Sequence, residues 1–91
     1  MIRGFLAAVA VLGISCSAAL ASPTCTREPP SKWLSEAEMK QKIQEMGYKD
    51  IKVFKKTNSG CYEIYGYTAE GRKAEVYFNP VTGAVVEQNV D

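Results

Sequence analysis

Hydrophobic positions recur at helical spacing in one segment of the chain, ahead of several segments in which they alternate with polar ones. Met39, Ile43 and Met46 recur every three or four residues and give a helix one apolar face. Ser35 and Glu38 have the spacing of a capping box, and a glycine after Met46 is the expected left-handed stop. The pattern predicts a helix over residues 35–46.

Alternation of apolar and polar residues predicts strands in the rest of the chain. The predicted strands cover residues 50–56, 61–68 and 72–78, with a short last strand at residues 84–87. A four-residue turn at residues 57–60 and a three-residue turn at residues 69–71 join the first three. These turns set registers in which Val53 faces Ile64 and Ile64 faces Val76.

In these registers one face of the sheet is apolar and must pack on the helix. Its members are Ile51, Val53, Tyr62, Ile64, Ala74, Val76 and Phe78, opposite Met39, Ile43 and Met46 of the helix. The predicted fold class is therefore α+β, with one N-terminal helix packed on a three- to four-stranded antiparallel sheet.

The other face of the predicted sheet nominally faces solvent, yet it carries four aromatic residues. They are Phe54, Tyr65, Tyr67 and Tyr77. In one interpretation they form cross-strand pairs that stabilise the sheet, partly covered by the N-terminal arm. In the other they form a surface that binds a partner. Trp33, ahead of the helix, has the same two interpretations, because it either packs the arm or anchors a partner.

The first residues have the pattern of a secretory signal peptide. Arg3 precedes an apolar run at residues 5–14, and Ala19 and Ala21 are the small residues that a signal peptidase recognises. We expect cleavage after Ala21, and a periplasmic or secreted product with no later segment that would insert in a membrane. The alternative is a lipoprotein acylated at Cys16. The expected organisation is a signal peptide (residues 1–21), a proline-rich arm that cannot be helical (residues 22–32) and one domain (residues 33–91).

Cleavage would leave two cysteines, Cys25 in the arm and Cys61 at the start of the second strand. An even pair in a small exported domain predicts a disulfide rather than two free thiols. Closing this loop would contribute roughly 3–4 kcal/mol in the chain-entropy description. A domain of this size buries too little surface to be comfortably stable without such a crosslink.

Composition argues against common catalytic and nucleic-acid-binding classes. The sequence has no histidine, which excludes His-dependent nucleophilic catalysis and histidine metal sites, and it has no cofactor motif. After Ala21, ten basic and ten acidic residues are interspersed with no basic stripe for nucleic acid. Glu63 and Glu75 share the aromatic face, either as a general acid–base pair or, as their Tyr and Lys neighbours favour, as salt-bridged surface residues. We therefore expect a protein that is not an enzyme, with no catalytic, cofactor or metal residues.

Several segments, taken in order, resemble the PepSY domain family in its short, stand-alone, exported form. They are Leu34-Ser35-Glu36-Ala37-Glu38, Gly47-Tyr48, Ile51-Lys52-Val53, Gly60-Cys61-Tyr62-Glu63-Ile64, and residues 70–78 leading into Asn79-Pro80-Val81-Thr82-Gly83. The resemblance covers residues 32–87, and the cysteine pair is not part of the family's general pattern. PepSY domains occur in the propeptides of thermolysin-type metalloproteases, which they inhibit and help to fold, and in bacterial envelope proteins proposed to restrain proteases. The family has no defining catalytic residues.

The resemblance implies an exported, non-catalytic binding or regulatory module that restrains or inhibits a protease of the bacterial envelope. We expect the partner to dock on the four aromatic residues or on an exposed edge strand. The alternative is a small-ligand-binding or stress-related envelope protein that uses a concavity between the helix and the sheet.

Overall fold

The helix begins and ends where the sequence pattern predicts. The structure, a computed structural model, describes residues 22–91, and in it α1 spans Glu36–Glu45 with Ser35 as its N-cap. The Ser35 hydroxyl accepts a hydrogen bond from the Glu38 N–H at 3.1 Å, and the Glu38 carboxylate accepts one from the Ser35 N–H at 3.0 Å. Both bonds of the capping box are therefore present. Gly47 follows with a φ of 96° and stops the helix.

Four antiparallel strands follow the helix and pair in chain order. They are β1 (Lys49–Lys56), β2 (Tyr62–Tyr67), β3 (Lys73–Phe78) and β4 (Val85–Val90). The predicted α+β class is confirmed. The last strand is longer than predicted, because β4 continues past Glu87 and pairs with β3 until Val90 faces Ala74.

The register between β2 and β3 is the predicted one. Ile64 faces Val76 and Gly66 faces Ala74. The side of this hairpin that packs on α1 forms the core, whose members are Met39, Ile43, Tyr62, Ile64, Ala74, Val76 and Phe78. Met46, predicted in the core, is instead exposed at the helix C-cap.

The predicted register of β1 is wrong by one residue. Val53 faces Tyr65, and Phe54 faces Ile64. The turn into β2 has three residues rather than four, because the Thr57 N–H donates to the Cys61 carbonyl at 2.9 Å. A one-residue slip turns each side chain to the other face of the sheet. Phe54 therefore lies on the helix side, with its ring centroid 5.1 Å from that of Tyr62.

A bulge interrupts β1 between Lys49 and Val53. Lys49 still faces Tyr67, so the residues of the bulge share one partner position, Gly66. Asp50 in the bulge has a φ of 50°, in the left-handed region that aspartate tolerates better than most residues. Ile51 lies over Gly66, since a Cβ at Gly66 would be 2.8 Å from Cδ1 of Ile51. The predicted Ile51–Gly66 contact thus survives, although Ile51 is exposed rather than buried.

The N-terminal arm is fixed to the end of the sheet where β2 begins. The predicted disulfide is present between Cys25 and Cys61, with 5.0 Å between the Cα atoms. The Cys25 N–H donates to the Ser59 carbonyl at 3.1 Å, and Asn79 Nδ2 donates to the Cys25 carbonyl at 3.2 Å. The arm is thus held by hydrogen bonds to the backbone of Cys25 as well as by the covalent link.

The end of the arm forms one short turn of 3-10 helix, Pro30–Lys32, which corrects the expectation that the arm cannot be helical. Proline is tolerated there because it occupies the first helical position, where its missing N–H has no partner to lose. Trp33 follows this turn and packs edge-on against Tyr62, with 5.4 Å between ring centroids. Its Nε1 donates to the Glu28 carbonyl at 3.0 Å. Trp33 therefore packs the arm on the core.

Candidate functional site

The outer face of the sheet, the one turned away from α1, presents a smaller aromatic surface than the sequence predicts. Tyr65 and Tyr67 lie on it, opposite Glu75 and Lys73 of β3 as predicted. Phe54 does not, because the shifted register of β1 places it on the helix side.

The three remaining aromatic residues, Tyr65, Tyr67 and Tyr77, differ in exposure. Tyr65 is 44% exposed, whereas Tyr77 on the same face is only 5% exposed. Val53, which the sequence pattern placed in the core, is 38% exposed beside Tyr65. We call Val53, Tyr65 and the half-buried Tyr67 the outer patch. Lys55 borders it, with Nζ 5.9 Å from the centroid of the Tyr65 ring.

A pair of carboxyl groups lies beside the outer patch. Glu63 is only 4% exposed, and its nearest cation is Nζ of Lys55 at 3.7 Å. Glu75 accepts a hydrogen bond from the Tyr77 hydroxyl at 2.8 Å and another from Nδ2 of Asn89 at 3.3 Å. The ion pair joins β1 to β2, and the bond from Asn89 joins β4 to β3 across the outer face. Together with Ser22 of the arm, the same residues line a groove of about 770 Å³.

The two carboxyl groups have opposite pKa shifts. Burial raises the pKa of Glu63, and the hydrogen bond to Glu75 raises it further. That hydrogen bond lowers the pKa of Glu75, which the Tyr77 hydroxyl also stabilises as a carboxylate. Glu63 therefore keeps its proton to a higher pH than Glu75 does. Burial and the bond to Glu75 raise the pKa of Tyr77, so its hydroxyl remains a donor.

These contacts give the carboxyl pair a structural role on the outer face of the sheet. Glu75 is held by Tyr77 and Asn89, and Glu63 is covered and paired with Lys55. Of the two carboxyl groups only Glu63 lies within 4.0 Å of a cation in the described part of the chain, and it is buried rather than on the surface. Within residues 22–91, no cluster of His, Cys, Asp or Glu side chains has the arrangement of a metal site.

We predict that Glu63→Gln removes a loss of stability that the wild type shows as the pH rises. The folded state holds the Glu63 proton more tightly than the unfolded chain, so the wild type loses stability as the pH rises from 4.5 through the raised pKa of Glu63. Glutamine is neutral at every pH, so it removes this pH dependence. Urea denaturation at a series of pH values should show equal stability of the two proteins in acid and a more stable variant above neutrality.

Glu70→Gln is the matched control, because Glu70 is exposed in the turn between β2 and β3. Its stability should follow that of the wild type across the series. A Glu63→Gln variant whose stability falls in parallel with that of the wild type from pH 4.5 through neutrality would show that folding does not raise the pKa of Glu63.

Comparison with known proteins gives one family match. The family model described as peptidase propeptide and YPEB domain, PepSY_2, matches residues 5–89. No curated protein and no solved structure gives a significant match. Among residues 22–91, no helix is long and apolar enough to cross a membrane. The predicted signal peptide and Cys16 lie outside the residues that the structure describes.

Proposed function

The chain belongs to the PepSY family of peptidase propeptide and YPEB domains, and from that premise we propose that it is an exported, non-catalytic module that binds and restrains a protease of the bacterial envelope. Export follows from the signal pattern, with cleavage after Ala21 and a product that begins with the arm (residues 22–32) and continues as the PepSY domain (residues 33–91). The family name supports the link to peptidases.

The observation that carries this proposal is the exposure of the outer patch on the sheet. Tyr65 and Val53 are apolar side chains left open to solvent, and aromatic side chains of this kind anchor many protein interfaces. A tyrosine has few rotatable bonds, so burying it against a partner costs little conformational entropy. The contacts of the carboxyl pair beside the patch and the disulfide at the end of the sheet preorganise this surface for binding.

The alternative of a small ligand enclosed in the interior between the helix and the sheet is not favoured. Met39 of α1 and Ile64, Val76 and Phe78 of the sheet fill the described interior and are fully buried. A ligand there would have to displace core side chains, which costs several kcal/mol.

We predict that Tyr65→Ser combined with Tyr67→Ser abolishes capture of the protease. If the two tyrosines are interface hot spots that cost 2 kcal/mol or more on truncation, affinity falls by at least roughly 30-fold. The exported product of the full chain is immobilised and incubated with envelope extract, and captured peptidases are identified by mass spectrometry. The wild type should retain a peptidase that the variant loses, while the two proteins melt at similar temperatures.

Val85→Ser combined with Val86→Ser is the control, because these exposed side chains lie at the start of β4, away from the outer patch. This variant should capture the peptidase as well as the wild type. Capture that survives the tyrosine substitutions but is lost with the valines would move the docking surface to the β4 edge and contradict the outer patch.

A further inference from the structure

A second surface lies at the other side of β1, where α1 overhangs the free edge of the sheet. A groove of about 610 Å³ runs between the helix and the strand. Its apolar lining comes from Ile43 of α1, from Tyr48 just before β1, and from Ile51, Val53 and Phe54 of β1. Ile43 is nearly fully buried, so the floor of the groove is recessed, whereas Ile51 is exposed at its side.

The rim of this groove is positively charged. Lys40, Lys49 and Lys52 line it, against the single acidic residue Asp50. Nζ of Lys40 lies 5.1 Å from the centroid of the Phe54 ring, above the apolar floor. Within residues 22–91, the one ion pair within 4.0 Å joins Lys55 to Glu63, so none of the rim lysines has an acidic partner there. Unpaired lysines around an apolar floor complement an occupant that is both acidic and apolar.

The β1 edge is shaped for an extended segment. β1 is the first strand of the sheet, and among residues 22–91 no strand pairs with its outer side. Its backbone groups on that side are open to pairing. The bulge between Lys49 and Val53 bends the strand at the groove and leaves Ile51 and Lys52 outside the regular pairing with β2. Bulges at sheet edges commonly redirect side chains in this way.

We infer that this groove binds an extended acidic polypeptide segment in which glutamate or aspartate alternates with apolar residues. Alternate residues of an extended chain point to opposite sides, so one set would enter the apolar floor while the other met the rim lysines. The inference goes beyond the proposed function, because it concerns a groove that shares only Val53 with the outer patch and needs no protease.

Two other occupants fit the groove less well. A second copy of this chain would offer its free edge β4, which carries one acidic residue, Glu87, and no matching set of charges. A membrane surface would meet the lysines but is flat, whereas Ile43 lies at the bottom of a recess. A narrow, extended and acidic peptide fits the recess and also complements the charge of the rim lysines.

The test is the binding of a fluorescein-labelled peptide of alternating glutamate and valine to the exported product of the full chain. The peptide has eight residues, to match the eight residues of β1, and is followed by fluorescence anisotropy. We expect saturable binding that weakens from about 0.1 M to about 1 M salt, as the screening length falls from about 10 Å to about 3 Å. The peptide with lysine in place of glutamate should not bind.

Charge reversal in the groove should weaken binding more than the same reversal elsewhere. Lys49→Glu combined with Lys52→Glu should raise the Kd by roughly tenfold or more. Lys32→Glu combined with Lys73→Glu changes the net charge equally but lies outside the groove, and it should raise the Kd by less than about threefold. Backbone NMR shifts of the wild type on titration should be confined to α1 and β1.

Several outcomes would overturn the inference. They are the absence of binding, equal weakening by both double variants, and NMR shifts centred on the outer patch. Binding to phosphatidylglycerol vesicles without binding to the peptide would assign the groove to a membrane surface. Concentration-dependent dimers that the Lys49→Glu/Lys52→Glu variant disrupts would assign it to a second copy. None of these results bears on protease capture through Tyr65, so this inference and the proposed function fail separately.

Discussion

Replacing Cys25 and Cys61 together with alanine should lower the free energy of unfolding by roughly 3–4 kcal/mol. The disulfide joins residues separated by 36 positions, so breaking it restores many conformations to the unfolded chain. For a domain of this size such a loss is a large fraction of the total stability. Urea denaturation of the wild type and the double variant measures it.

Reducing the disulfide of the wild type distinguishes the effect of losing the crosslink from the effect of replacing the two side chains. Wild-type protein denatured with excess reductant should match the alanine variant, because both lack the link. The arm should remain docked in part, since Trp33 still packs on Tyr62 and Asn79 still binds the Cys25 carbonyl. A loss below about 1 kcal/mol would show that the unfolded chain is already compact around this loop.

Gly60→Ala should destabilise the protein by about 2–5 kcal/mol, combining an unfavourable backbone conformation with a steric clash. Gly60 has a φ of 81°, where an alanine costs about 1–2 kcal/mol. A Cβ at this position would also lie 2.2 Å from the backbone carbonyl oxygen of Thr26, in the arm. Neither the turn nor the disulfide-linked arm can move far to relieve this contact. The free energy of unfolding from urea denaturation is the measurement.

Gly71→Ala is the matched control for this prediction. Gly71 ends the corresponding turn between β2 and β3 with a φ of 87°, and a Cβ there would meet nothing within 4 Å. Its substitution should therefore show the backbone cost alone. In the Cys25→Ala/Cys61→Ala background, the difference between the two alanine variants should shrink, because the released arm can move away from Gly60. Equal losses in the wild-type background would show that the arm does not pack on the turn.

The helix and the β2–β3 hairpin were predictable because local chemistry determines them. The Ser35–Glu38 capping box and the glycine at position 47 define the helix ends without help from tertiary contacts. The hairpin turn ends in a glycine at positive φ, which sets the register of both strands. That register carries most of the core.

The register of β1 was missed although the sequence contains a signal for it. Thr57 and Gly60 have the same spacing as Thr68 and Gly71, and both turns close alike. The N–H of the residue after each glycine donates to the threonine Oγ1, at 3.0 Å for the first turn and 3.2 Å for the second. With the same closure as the second turn, the first turn has three residues, and Phe54 lies on the helix side.

The bulge in β1 and the burial of Glu63 could not be predicted from local sequence. Asp50 enters the left-handed region because Ile51 has to reach over Gly66 while Lys49 stays paired, which is a requirement of tertiary packing. Glu63 alternates correctly onto the outer face, but its burial depends on how side chains from the neighbouring strands close around it. The presence of Val53 and the absence of Phe54 in the outer patch therefore follow only from the pairing of the strands.

The most direct test of the proposed function is the rate of peptide hydrolysis by the captured peptidase as this protein is added. The wild type should reduce the rate toward zero once its concentration exceeds that of the enzyme. The Tyr65→Ser/Tyr67→Ser variant should leave the rate unchanged at the same concentrations, and the Val85→Ser/Val86→Ser variant should inhibit as the wild type does. A hydrolysis rate that saturating wild-type protein does not change would contradict restraint of the protease.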